Sequence, residues 1–170
     1  STGHNVKDSF EAVVNGVCGI DTITLFDASE FSVKIAGEVK DFDPTTVMDK
    51  KEVKKADRFI QLGIKAAHEA MIDSGYVTAE NTKVDASIAD RFGMISGSGI
   101  GGLSTIERNS VVCETKGSRK VSPFFIPSSL ANMLSGFISI EHNLRGPSLS
   151  HVTACAASTH ALNDAVKTIM

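Results

Sequence analysis

Three cysteines, Cys18, Cys113 and Cys155, carry the most reactive side chains in the chain, and only one has neighbours that would put it to use. Cys155 follows the run Ser148-Leu149-Ser150-His151-Val152-Thr153-Ala154, which reads as a strand. It precedes a segment in which Leu162, Ala165, Val166 and Ile169 recur at helical spacing. A residue at such a junction faces the unpaired N–H groups and the positive dipole end of the helix it opens, and both favour an anion. For a cysteine the anion is a thiolate, the form that attacks a carbonyl carbon, and the same N–H groups can hold the oxyanion of a thioester under attack. Ala154, Ala156, Ala157 and Ser158 are small and leave the sulfur open to an acyl chain. The competing reading is a buried structural cysteine. Cys18 and Cys113 lack this context and are read as structural, although Cys113 stands in a polar stretch that fits simple exposure.

Other constellations offer different chemistry. Gly97-Ser98-Gly99-Ile100-Gly101-Gly102 satisfies the dinucleotide fingerprint, with the apolar run Phe92-Gly93-Met94-Ile95-Ser96 as the strand in front of it. The fingerprint also asks for an acidic residue about 20 positions on, where this chain has the basic, turn-rich Lys116 to Lys120. That argues against a Rossmann nucleotide site and leaves a strand-end turn with a core isoleucine at Ile100. Pro123 and Pro127 bracket Phe124, Phe125 and Ile126 and are expected to keep them out of helix, as a loop packed on the core or facing a partner. Lys50, Lys51, Lys54 and Lys55 share a helical face, and Arg119 and Lys120 form a second basic group. A solvated face accounts for them, and so does the steering of an acidic partner. His151 and His160 flank Cys155 without the paired spacing of a zinc site, so no metal is expected. There is no Gly-x-Ser-x-Gly elbow for a serine hydrolase.

These residues need a framework to hold them. At 170 residues and 42% hydrophobic the chain can bury one sizeable core, and a single domain is the default. A net charge of −3 and a pI near 5.9 are wrong for a nucleic-acid binder. No apolar run approaches the roughly 20 residues of a membrane span, and Ser1 to Phe10 has no signal-peptide layout. An odd number of unpaired cysteines suits a reducing cytoplasm.

Asn5 caps a predicted helix over residues 6–15 that Gly16 stops. Partial alternation over residues 32–39 suggests a strand. A basic helical segment around Lys50 to Lys55 adjoins a packing helix whose stripe is Ile60, Ile64, Ala67 and Met71, ending near Gly75. Ser128 or Ser129 caps a further helix, with Leu130, Met133, Leu134, Phe137 and Ile138 at 3.6-residue spacing, running to Asn143 before Arg145-Gly146-Pro147 breaks it. Strands alternating with helices indicate α/β with a largely parallel sheet. Both ends read as cuts through a larger fold.

The run Arg145-Gly146-Pro147-Ser148-Leu149-Ser150, followed by Thr153-Ala154-Cys155-Ala156-Ala157-Ser158, closely resembles the nucleophile region of β-ketoacyl carrier-protein synthases, above all the elongating type II enzymes. Val39-Lys40-Asp41-Phe42, the glycine cluster with Leu103, and Arg119-Lys120-Val121-Ser122-Pro123-Phe124-Phe125-Ile126-Pro127-Ser128 resemble further segments of that family in the same order. The resemblance implies a thiolase-like fold of which residues 1–170 are the amino-terminal half, lacking the first strand and the carboxy-terminal half, with helices packed on a mixed, largely parallel sheet. It implies a decarboxylating condensation: Cys155 takes an acyl group from carrier-protein phosphopantetheine, and malonyl carrier protein loses carbon dioxide and attacks it. No cofactor is implied beyond the phosphopantetheine that carries the substrates.

By the same resemblance Ile100 gates the acyl channel and Phe125 reaches the acyl pocket of the other subunit of a homodimer. Lys51, Lys54, Lys55, Arg119 and Lys120 dock the acyl carrier protein. The family's second half supplies two histidines and a lysine. None of His4, His68, His142, His151 and His160 stands in those contexts, so each is read as a surface or packed histidine and the chain alone is expected not to condense. A polyketide-type ketosynthase is the alternative within the fold, and a nucleotide-binding Rossmann domain the alternative outside it. A chain-length factor would lack Cys155, and a thiolase or coenzyme A-dependent starter synthase would lack the lysine cluster and the proline-bracketed loop.

Overall fold

The computed structural model describes residues 2–170 and divides them into two compact units, one ending at Asp43 and one spanning Pro44–Met170. In the first unit, helix α1 (Val6–Val14) starts where Asn5 Oδ1 accepts the Asp8 N–H at 2.8 Å and ends before Gly16, whose φ of +68° only glycine adopts without cost. Its predicted extent holds, but Val6, Phe10, Val13 and Val14 are exposed. Strand β1 (Asp21–Thr22) pairs antiparallel with β2 (Ile35–Ala36), with Asp21 opposite Ala36. The strand expected over residues 32–39 is therefore only two residues long. Just past Ala36, the buried Glu38 turns its carboxylate onto the Thr24 and Leu25 N–H groups and the Thr24 hydroxyl at 2.8–3.2 Å, so a side chain takes donors that a longer ladder would use.

The second unit opens with α2 (Lys50–Val53), capped by Asp49, and α3 (Arg58–Asp73), capped by Asp57. Two successive aspartate caps are what separates the wet basic turn from the packing helix. Ile60 and Ile64 of α3 are buried with Val77, Val84, Leu134, Ile138 and Leu144 in the core. Strand β3 (Met94–Gly97) lies parallel to β4 (Ser148–His151), with Met94 opposite Ser148 and Gly97 opposite His151. The chain between them forms α4 (Leu103–Lys116), α5 (Phe125–Ser129) and α6 (Met133–His142), and α7 (Ala157–Ile169) follows.

Two expectations change here. The segment between the prolines is not a loop, because Phe125–Ser129 is helical. Pro127 falls in the first turn, where its missing N–H would have had no partner in any case. The helix expected from a cap at Ser128 or Ser129 starts later, because both serines lie inside α5 and only α6 covers the stripe, from Met133 on. The Ser129 carbonyl accepts the Gly102 N–H at 2.9 Å and Leu130 turns extended, so α6 starts afresh at Met133 and ends on Asn143 in the left-handed conformation.

Candidate active site

Cys155 lies between β4 and α7, as its neighbours predicted, but not inside the first α-helical turn. Ala154–Ala156 form a 3₁₀ turn, closed by the Ala156 N–H on the Thr153 carbonyl at 3.1 Å, and α7 begins two residues after the cysteine. Ala154 has φ +49°, a left-handed conformation that costs an L-alanine about 1–2 kcal/mol. Cys155 is exposed, which sets aside the buried structural reading.

What surrounds the turn explains how it is held. A Cβ on Gly97 of β3 would come within 2.7 Å of Ser158 N and closer still to the Ala157 carbonyl, so only glycine lets β3 run beneath the start of α7. Gly99 passes near the Ala154 backbone. Behind the strands, the hydroxyls of Ser96, Ser135 and Ser150 form a closed set at 2.7–3.1 Å that ties β3, α6 and β4 together, with the Ser135 hydroxyl also 2.8 Å from the Leu149 carbonyl.

Two histidines near the cysteine turn out to be engaged. His160 Nδ1 of α7 is 2.8 Å from Thr153 Oγ1. His151 Nε2, at the end of β4, is 3.0 Å from Asp164 Oδ2 without the alignment of a good hydrogen bond. Their rings are 6.2 Å apart. These two links were not read from the sequence. The available signal was the placement of His160 and Asp164 one helical turn apart on α7, facing residues that flank the cysteine. The other histidines lie elsewhere. His4 lines a polar cleft of the first unit with Cys18, Asp21 and Lys40. His142 is fully buried, its Nδ1 2.7 Å from the Thr82 carbonyl, and it stacks on His68 at 6.1 Å. Burial, then the neighbouring His142 and Lys65, push the His68 pKa down.

Cys18 and Cys113 are exposed, so neither packs as a structural cysteine. Cys18 has only a long 3.8 Å approach to the Ile20 carbonyl.

Ile100 is 65% exposed, which overturns its reading as a core isoleucine. The glycines beside it serve close backbone packing: Gly101 has φ +85°, and a Cβ on Gly102 would lie 2.6 Å from the Ser128 carbonyl oxygen. The dinucleotide reading meets a physical obstacle here. Where a pyrophosphate would seat on the first turn of α4, the buried Asp57 carboxylate already takes the Thr105 N–H at 2.9 Å and its hydroxyl at 2.6 Å. The same carboxylate accepts the Phe59 N–H at the start of α3, so one aspartate caps two helices.

Phe125 is half-buried, while Phe124 and Ile126 are exposed. Lys55 Nζ lies 5.5 Å from the Phe124 ring centre and 2.6 Å from Glu52 Oε1, and its carbonyl accepts the Ser128 hydroxyl at 2.6 Å. Lys55 is thus held against the start of α5. Lys51, Lys54, Arg119 and Lys120 are exposed. No three histidine, cysteine, aspartate or glutamate side chains gather as a metal site among the described residues.

An α/β unit with a parallel strand pair and a cysteine on the turn between a strand and a helix fits part of a thiolase-like fold. The chain belongs to the family described as beta-ketoacyl synthase, N-terminal domain, which it matches over residues 1–170. It is similar to the 3-oxoacyl-[acyl-carrier-protein] synthase 2 of Vibrio harveyi, with 46% identity over 168 residues, 98% of this chain and 39% of that protein. Among solved structures it is similar to the ishigamide ketosynthase/chain length factor, with a TM-score of 0.79 and 25% identity over 99% of this chain and 41% of that one. A ketosynthase of a type II polyketide system, solved with its acyl-carrier protein and bound to a hexaketide, shares the fold at a TM-score of 0.67, with 24% identity over 76% of this chain and 35% of that one. The chain thus spans 39% of the length of the curated relative.

Proposed function

We propose that the protein is an elongating β-ketoacyl carrier-protein synthase of fatty-acid synthesis, with Cys155 as its acyl acceptor. The carrying observation is the exposed Cys155 on the 3₁₀ turn between β4 and α7, directly after the left-handed Ala154, in a chain that matches the family throughout. Cys155 Sγ attacks the thioester carbonyl of an acyl group on carrier-protein phosphopantetheine, and collapse of the tetrahedral adduct releases the phosphopantetheine thiol. The malonyl thioester then loses carbon dioxide, and the carbanion left behind attacks the cysteine-bound acyl carbon, returning the thiolate to Cys155. Ile100 and Phe125 line the acyl pocket. Groups outside residues 1–170 supply the histidines and lysine that the family uses, so this chain alone does not condense.

Lys51, Lys54, Lys55, Arg119 and Lys120 dock the carrier protein, a reading supported by the exposure of four of them and by the ketosynthase relative solved with its carrier. The protein works as a cytoplasmic homodimer without a cofactor of its own. Among the described residues no helix is long and apolar enough to cross a membrane. The 46% identity to a 3-oxoacyl carrier-protein synthase, against 25% or less to the polyketide-type structures, favours fatty-acid over polyketide elongation.

Incubation of the full-length protein with an acyl carrier-protein thioester should add one acyl group, which peptide mass spectrometry places on Cys155 and which Cys155→Ala abolishes. An acyl group on Cys18 or Cys113, or none, would overturn the assignment.

A further inference from the structure

The bond between Thr153 Oγ1 and His160 Nδ1 closes a ring around Cys155: residues 154–159 lie between its ends, including the left-handed Ala154 and the first residues of α7. Nothing in the condensation chemistry above uses it. Thr153, with φ of −128° and ψ of 44°, is in neither strand nor helical conformation, so the regular backbone of β4 and of α7 does not extend through it and a side-chain tether adds to what holds it. Two backbone bonds close the turn, Ala156 N–H to the Thr153 carbonyl and Ala157 N–H to the Ala154 carbonyl, and neither engages the Thr153 side chain, which is left to His160. Released, an alanine in the left-handed region tends back to a right-handed or extended conformation, and that rotation swings the next residue, Cys155.

We infer that His160 is a positioning residue for the acyl-transfer cysteine: through Thr153 Oγ1 it holds the Ala154–Ala156 turn so that Cys155 presents its sulfur to the thioester. The inference rests on the reading of Cys155 as the acyl acceptor. His160 and Thr153 are both exposed, so the bond adds nothing to the buried core and its loss should show in reactivity rather than in stability. Either form of the imidazole can make it. The hydroxyl donates to a bare Nδ1 or accepts from Nδ1–H, so the tether does not depend on one tautomer.

The test is the rate of Cys155 alkylation by iodoacetamide in the full-length protein, followed by peptide mass spectrometry across a pH series and paired with Tm. His160→Phe and Thr153→Val should each slow alkylation roughly fivefold across the series, matching about 1 kcal/mol for one hydrogen bond. The double variant should be no slower than either single one, because both changes remove the same contact. Thr153→Ser, which keeps the hydroxyl, should react as the wild type, and Tm should be unchanged throughout. An unchanged rate in His160→Phe, slowdowns that multiply in the double variant, or a fall in Tm without a fall in rate would each overturn the inference. Wild-type Cys155 that alkylates readily but takes no acyl group from a carrier thioester would overturn the functional reading instead, since alkylation reports the turn and not the acyl donor.

Discussion

Single side chains in this protein act through where their atoms are held. Cys155 is set apart from the other two exposed cysteines by the turn it sits on, with a left-handed alanine before it and a helix after it. His68 shows the same principle in a titrating group. Its pKa is pushed below the ordinary 6.5, by burial first and then by His142 and Lys65, so the folded state prefers the neutral ring. A depressed histidine pKa gives stability that is fully present above the unfolded value near 6.5 and is lost as pH falls through that value toward the lowered folded one. Urea unfolding at pH 7.5 and 5.5 should show the wild type losing stability over this window, and His68→Gln losing less of it. Equal losses in both would place the acid sensitivity in another group.

At the level of elements, Asp57 does the most joining. Its Oδ1 caps α3 and its Oδ2 takes both donors of Thr105 in the first turn of α4, so one buried carboxylate fixes the starts of two helices from distant parts of the chain. Asp57→Ala should cost about 2–3 kcal/mol, roughly the sum of two caps, read as a lower urea midpoint at unchanged m-value. A loss below about 0.5 kcal/mol would mean that water replaces the carboxylate at both helices. An aspartate directly before an apolar helical stripe is a local cap signal, although Asp57 was not singled out from the sequence. Its second partner, 48 positions away, leaves no such signal, because nothing in the residues around Thr105 names the side chain that will reach it. Pro127 was misleading for a related reason: proline excludes helix interiors but fits a first turn, and which applies depends on where the neighbouring backbone ends the helix.

For the molecule as a whole, charge matters more by place than by sum. The net charge is −3, yet Lys51, Lys54, Arg119 and Lys120 are exposed and Lys55 is held at the start of α5. A local positive face on a mildly acidic protein can steer an acidic carrier without binding anions indiscriminately. Reversing Lys51 and Lys54 to glutamate in the full-length protein should raise KM for carrier-protein substrates severalfold, with the effect fading as salt is added. KM for short thioesters without a carrier should stay the same. An equal rise for both substrates would locate the fault in the acyl site and not in docking.

Helix α1 with its Asn5 cap and Gly16 stop, the two strands that became β3 and β4, the α3 stripe and the placing of Cys155 between strand and helix were all determined by the sequence itself. Each rests on periodicity, capping or a glycine, which act within a few residues. Tertiary structure alone decided the exposure of Ile100, the single turn at Phe125–Ser129, the double cap of Asp57 and the link from His160 to Thr153. The first three depend on segments far apart in sequence. The link spans only seven residues, yet it exists because β4 and α7 meet at the angle their packing sets, and local spacing does not specify that angle.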